Sequence, residues 1–312
     1  MSNMLTSGNT TLPRDTILGI GCGVLDYIQV VDHFPKQNTK MHSSQAELQG
    51  GGSAMNALAA LSRWQTKTIA FTAVGDDAIG TQIIASLQKE GIDIASVQRV
   101  PGHMSSLSSV VLHNSTRTVV GHYELEESLH VQSLPEAILP VLQLVHLDGH
   151  HGNAALEAAH LAKKNGALVS LDGSHVFANT KRLLKDVDIL IASESFAADL
   201  GIGGSPEQQI QILKSQYPFK VLVITLGGKG VIYINQSGNV ETAPAFKVPV
   251  VDTNGAGDAF HAGFLHAYLH GQSLESAIKF GQAAAALKVQ AFGARKGIPT
   301  LDMIEVFLQQ QA

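Results

Sequence analysis

The sequence predicts an α/β fold: a mostly parallel sheet with helices on both faces, plus a small antiparallel β lid. Three observations carry this expectation. Short β-rich runs alternate with helical patterns along most of the 312 residues, and strands alternating with helices of about 10–15 residues build parallel sheets. Two stretches, 40–48 and 106–123, break that rhythm by alternating apolar and polar residues with no helix in between. Hydrophobic residues make up 45% of the chain and charged residues only 15%. An average globular chain is about 25% charged, so this one can bury a large core and is not intrinsically disordered.

In chain order, residues 16–31 read as one strand with Gly19, Gly21 and Gly23 in its interior. An alanine-rich helix follows at 53–64, a strand at 68–74, and a helix at 78–90 closed by Gly91. Further strands at 141–147, 167–171, 188–192 and 220–225 are separated by helices at 153–164, 180–185 and 206–216. From Ala259 onward the chain is mostly helical. No repeat, linker or low-complexity block divides it. Residues 12–312 are therefore expected to form a single domain, with lid strands from about 27–49 and 106–123 inserted in it. The lid is expected beyond the carboxyl ends of the strands, where open α/β sheets bind ligands.

Composition excludes several functions. Acidic residues number 26 and basic ones 21, a net charge of −5, which is not the footprint of a nucleic-acid binder. A small anion can still be held locally. The single cysteine, Cys22, rules out an internal disulfide and a cysteine-ligated zinc site. Residues 1–11 are polar, lack the apolar core of a signal peptide and are expected to be a disordered tail. No apolar run approaches the roughly 20 residues of a membrane helix. A cytoplasmic location is expected, with the glycosylation-like triplets at Asn9, Asn114 and Asn235 as chance matches.

Familiar signatures fail one by one. A dinucleotide fingerprint starting at Gly19 and Gly21 ends on Val24 instead of glycine, and Gly228-Lys229 is followed by Gly230 rather than Ser or Thr. There is no G-x-S-x-G elbow. Fourteen histidines include His146, His150 and His151 near a strand end and a His266/His270 pair, but no H-E-x-x-H occurs. These read as surface or supporting positions rather than metal ligands.

The strongest signal is the run from Val251 to Phe260, Val-Asp-Thr-Asn-Gly-Ala-Gly-Asp-Ala-Phe, opening a helix. Glycines at a helix start let the N–H groups of Gly255, Ala256 and Gly257 converge on an anion, with the helix dipole assisting. A carboxylate beside a resting phosphate is repelled, so Asp258 needs a reason to be there. Accepting a proton from an attacking hydroxyl is one; capping the helix is the other. The second signal, Gly50-Gly51-Gly52-Ser53-Ala54-Met55-Asn56, permits close backbone approach to a polyhydroxylated ligand, with Asn56 offering donor and acceptor. A flexible turn capped by Ser53 is the alternative. Asp26, at a strand end, either accepts two sugar hydroxyls or is simply solvated.

Together these residues resemble the ribokinase-like (PfkB) carbohydrate kinases over nearly the whole chain. The N-terminal family motif is similar to residues 51–59 followed by Gly75-Asp76 and Gly80, and the C-terminal motif to residues 252–265 with Gly293 and Pro299. Within the family, Val24-Leu25-Asp26, Val31-Asp32, Phe34-Pro35-Lys36 and Arg117-Thr118 resemble ketohexokinases. The resemblance implies an ATP-dependent kinase acting on a small, ketose-like sugar. Asp258 would be general base and Gly255, Ala256 and Gly257 the anion hole. Asp26, Asn38, Gly51, Gly52, Ser53, Asn56 and Arg117 would face the sugar. Val24 and Ser53 stand where ribokinases present Asn and Lys, which points away from ribose. Ser193, Thr225, Gly227, Gly230, Gly255 and Gly257 would line the nucleotide. Mg2+ would be held through ATP phosphates and water, because Ser193-Glu194-Ser195-Phe196 lacks the family's N-x-x-E. A monovalent cation, K+, is implied near Asp252 and Gly293. A homodimer through the lid is expected, since exposed sheet faces are a liability. The alternatives are a nucleoside kinase, for which Tyr123 is the only aromatic in the second lid stretch, and a catalytically silent sugar-binding regulator.

Overall fold

Runs of five or six branched apolar residues become strands buried on both faces, and their alternation decides which core each side chain enters. The computed structural model describes residues 14–311; the expected tail at 1–11 lies outside them. The chain runs β1 (Thr16–Ile20), β2 (Val24–Val30), β3 (Gln45–Gly51), α1 (Ser53–Arg63), β4 (Lys67–Phe71), β5 (Ala73–Gly75), α2 (Ala78–Lys89) and β6 (Gln98–Val100). Next come β7 (Leu107–His113), β8 (Thr116–His122), β9 (Leu142–Leu147), α3 (Gly152–Lys164), β10 (Leu168–Gly173), α4 (Thr180–Leu183), β11 (Ile189–Ser193) and α5 (Phe196–Asp199). The remainder is α6 (Pro206–Gln216), β12 (Val221–Thr225), β13 (Val231–Ile234), β14 (Val240–Ala243), α7 (Ala256–Leu269), α8 (Leu274–Lys288) and α9 (Leu301–Gln310).

The central sheet has the order β14-β13-β12-β11-β10-β9-β1-β4. It is parallel from β4 through β12 and antiparallel only at β13 and β14. In β1, Ile17 packs toward α1, α7 and α8, whereas Leu18 and Ile20 pack toward α3, α5 and α6. That two-sided burial is the mark of a parallel sheet covered by crossover helices.

The stretch read as one strand, 16–31, is two strands in two sheets. The chain leaves the central sheet after Ile20, and Gly23 donates its N–H to Thr72 Oγ1 at 2.8 Å as it turns into β2. Residues 68–74 divide likewise: β4 stays in the central sheet, while β5 pairs with β6. Both runs are continuously apolar, and a change of pairing partner leaves no mark on hydrophobicity.

The lid is a four-stranded sheet, β3-β2-β7-β8, antiparallel at its outer pairs and parallel between β2 and β7. Its inner face packs Ile28, Val110 and Leu112 against Phe292. Its tip reaches the segment before α7, with Ser115 Oγ donating to the Val250 carbonyl at 2.9 Å and Arg117 to the Thr253 carbonyl at 2.8 Å.

Gly52 joins the lid strand β3 to α1 at φ 92°, and a β-carbon there would run into the Cys22 carbonyl oxygen. Only glycine satisfies both conditions. Gly52→Ala is expected to lower stability in urea by at least about 2 kcal/mol; an unchanged unfolding midpoint would show that this junction is not strained by a side chain.

Candidate active site

The N-terminus of α7 is shaped by glycine. Gly255 is the N-cap residue at φ 77°, and a β-carbon there would sit 2.7 Å from Ala294 Cβ. The N–H groups of Gly255, Gly257 and Asp258 have no acceptor among the described residues. The Ala256 N–H does not join them, because it closes a turn onto the Thr253 carbonyl at 3.2 Å. Of the three amides expected to form an anion hole, Gly255 and Gly257 are therefore unengaged and Ala256 is not, while the neighbouring Asp258 amide is also unengaged. A β-carbon on Gly257 would meet nothing within 4 Å, so the space above it is open.

Asp258 is the third residue of α7 and makes no cap. Its Oδ2 accepts a hydrogen bond from Asn56 Nδ2 at 2.7 Å instead. Burial, together with the charge of Asp172, pushes its carboxyl up to about 6, against the opposing pull of Asn56, Arg117 and His261. A half-buried carboxyl balanced near neutrality can take and return a proton.

The orientation of Asn56 is dictated from behind. Arg295 Nε donates to Asn56 Oδ1 at 2.8 Å; since a guanidinium only donates, the amide must present its NH2 to Asp258. Arg295 also donates to the Gly51 carbonyl at 3.1 Å and to Ser86 Oγ at 3.0 Å. It is buried, and none of these acceptors is charged. Sequence reasoning missed Arg295; its only signal is its place two residues after Gly293.

Asp26 is buried within β2 rather than solvated at a strand end. It accepts from Ser108 Oγ, and a β-carbon on Gly51 would collide with its carboxylate. Burial raises its carboxyl, while Ser108, Arg295 and Arg117 pull it down. Ser53 is the first residue of α1, and Gly52 holds the cap position. Asp148, at the end of β9, accepts from Ala54 N at 3.3 Å and pins that helix start. Asn38 is not gathered in: it lies exposed at φ 57° in the β2–β3 connection and makes no hydrogen bond to the other candidates. Of the histidines read as surface or supporting positions, His146 and His151 are buried. His261, one turn beyond Asp258, points Nε2 at Asp172 from 3.5 Å. Burial works against the Asp172 carboxylate, yet His261 and Ser174 hold it at about 2.

On the other side of the α7 N-terminus lies a cavity of about 520 Å³. Its lining combines Thr225, Gly227, Gly230, Ala256 and Gly257 with the apolar Val231, Phe246, Val250, Phe260 and Val289. Arg117 lines it too, so this lid arginine stands between the cavity and the carboxylates of Asp26 and Asp258. Ser193 ends β11 beside it, with its hydroxyl on the Gly173 carbonyl at 3.4 Å. Glu194 pairs with Lys229 at 3.4 Å.

Asp252, fully buried, uses Oδ1 to accept from Asn254 N at 2.7 Å and Oδ2 to accept from Gly293 N at 2.8 Å. Its carbonyl accepts from Lys288 Nζ at 2.8 Å. Burial pulls the Lys288 ammonium down to about 8, opposed by Asp252 and Asp258. These oxygens are thus already engaged, and a positive charge sits among them; they do not fit a dissociable K+.

The chain is similar to known proteins over nearly its whole length. The pattern of the pfkB family carbohydrate kinases matches residues 16–301. A ribokinase of Haemophilus influenzae is 30% identical over 305 residues, 95% of this chain and 99% of the relative. An ATP-dependent ribose-1-phosphate kinase of Halopiger xanaduensis is 27% identical over 90% of this chain and 94% of its own length. The crystal structure of ribokinase from Thermotoga maritima superposes with a TM-score of 0.81, at 24% identity over 94% of this chain and 99% of that one.

If Asp258 must be ionised to act, turnover falls as pH drops through about 6. Asn56→Leu removes a donor that stabilises the ionised form, so the acidic limb of the pH–rate profile moves to higher pH. A limb that stays in place would separate Asn56 from the acid–base chemistry.

Proposed function

The chain belongs to the pfkB family of carbohydrate kinases, and on that premise we propose that Asp258 is the general base of an ATP-dependent sugar kinase. The observation that carries this reading is the Asn56–Asp258 hydrogen bond of 2.7 Å at the mouth of a helix N-terminus with free amides. Asp258 takes the proton of a substrate hydroxyl, whose oxygen attacks the γ-phosphorus of ATP. The bond from that phosphorus to the β–γ bridging oxygen breaks, and ADP leaves. The N–H groups of Gly255, Gly257 and Asp258, backed by the α7 dipole, face the charge on the transferred group. Arg117 reaches the same space from the lid. Catalysis of this kind is positioning plus electrostatics. Mg2+, bound through the ATP phosphates and water, would supply further neutralisation of the phosphoryl oxygens.

The 520 Å³ cavity is read as the nucleotide site, its apolar side chains taking the base and its glycines, with Thr225, the phosphates. The sugar is read as lying between Asp26, the 51–53 loop and Asn56. We assign a small ketose-like acceptor, because Val24 and Ser53 stand where an Asn and a Lys would favour ribose. ADP release measured across ketoses, ribose and nucleosides tests that assignment, and a nucleoside preference would overturn it. We read the location as cytoplasmic, a compartment that supplies the ATP this reaction consumes.

A second copy of the chain is proposed to cover the outer face of the lid. There Leu48, Tyr27, Ser109 and Val120 stand in one cross-strand row, with Val120 72% exposed and Leu48 51%. Such a row, apolar but for Ser109, is self-complementary across a two-fold axis.

Two outcomes follow. Asp258→Asn lowers kcat by at least about a hundredfold. Since burial raises this carboxyl, its ionised form costs stability above about pH 6, and the variant melts no lower than the parent near neutral pH. Retained turnover in a folded variant would contradict the mechanism. Val120→Glu converts a dimer to a monomer by light scattering with unchanged circular dichroism; a parent protein already monomeric at assay concentration would remove the proposed interface.

A further inference from the structure

We propose that the Lys288 ammonium is a built-in substitute for a dissociable monovalent cation, so that the phosphate loop holds its working shape without K+. The inference rests on the kinase reading only for the loop's purpose; the geometry stands by itself. Lys288 closes α8 and is fully buried, an uncommon place for a residue whose charge is strongly hydrated. Its Nζ lies 2.8 Å from the Asp252 carbonyl oxygen and 3.9 Å from Oδ2. The two carboxylate oxygens already accept from Asn254 and Gly293. The 293–297 loop folds over the lysine stem so closely that a β-carbon on Gly297 would lie 3.1 Å from Lys288 Cε.

A dissociable K+ is held by several oxygens that together replace its water shell. Here the ammonium has taken that place, and a second cation beside it would meet unscreened repulsion in a low-dielectric interior. The position matters because Asp252 leads directly into residues 253–258, so the direction of its carbonyl sets the path of the backbone toward the free amides. Lysine suits this position because it carries a compact charge with three donors on a flexible stem, present at every ionic composition.

The test compares the parent protein with Lys288→Ala in K+, NH4+, Na+ and tetramethylammonium salts at matched ionic strength, reading both sugar-dependent ADP release and melting temperature. The parent is expected to show the same turnover and melting in all four. Lys288→Ala opens a space for an ion, and in tetramethylammonium should lose about a hundredfold in kcat, the scale of a lost electrostatic contact. It should recover rate and melting temperature in K+ or NH4+. Lys288→Arg, which keeps the charge, should need no cation to melt like the parent. Stimulation of the parent by K+, or a Lys288→Ala protein as active and stable in tetramethylammonium as the parent, would overturn the proposal. Should no sugar be phosphorylated by the parent, the kinase reading fails, and the melting comparison still decides the role of Lys288.

Discussion

A single buried carboxylate, Asp252, ties the segments around the N-terminus of α7 together. Its oxygens hold the turn into α7 through Asn254 and the C-terminal loop through Gly293, while its backbone carbonyl holds the end of α8 through Lys288. The turn into α7 is thereby tied to the 288–293 segment, at least 36 residues further along the chain. Removing either partner of such a buried pair typically costs about 3–5 kcal/mol, because the remaining ion is left uncompensated. The loop anchored at Gly293 brings Ala294 against Gly255 and Arg295 onto Gly51 and Asn56. The anion-facing turn and the orientation of Asn56 thus depend on the same knot.

From that knot, control passes outward by hydrogen bonds whose direction is set by chemistry. Arg63 donates to the Arg295 carbonyl at 2.7 Å while pairing with Glu90, also at 2.7 Å, fixing the backbone of the loop. Arg295 can only donate, so Asn56 must turn its amide nitrogen to Asp258. Opposing influences then meet on one carboxyl: burial and Asp172 favour the proton, while Asn56, Arg117 and His261 favour the charge. The result lies near neutrality, where a base is both available and strong enough to act. The lid joins the same system, because Arg117 holds the Thr253 carbonyl that also accepts from Ala256. Movement of the lid is therefore coupled to the shape of the loop.

The layered sheet, the helix positions and the two glycine-rich helix starts were legible in the sequence, because periodicity and backbone-demanding glycines are local signals. α6 at Pro206–Gln216 coincides with its expected span, helped by proline in its first turn and the Ser205 capping box. The division of 16–31 between two sheets was not legible, since β1 and β2 are equally apolar. Asp26, Asn56 and Asp258 were read from motif positions, and the structure gathers them at one site with Gly51. Asn38 was read the same way, yet it lies on an exposed turn. Arg295, Asp172, His261 and Lys288 escaped notice for a common reason: each acts through a partner at least 36 residues away, such as Asp252 for Lys288 and Asn56 for Arg295. A single sequence does not announce such pairings. The Ala256 amide shows the limit from the other side, where a motif identifies the loop but not which of its N–H groups are free.

The central claim is that burial holds the Asp258 carboxyl near neutrality in a folded, ligand-free protein. Carbon-13 NMR of protein labelled at aspartate side-chain carboxyls, with Asp258→Asn used to assign the signal, reads that carboxyl directly. The account predicts that the assigned resonance titrates with a midpoint of about 6. A midpoint at or below the ordinary aspartate value would contradict it.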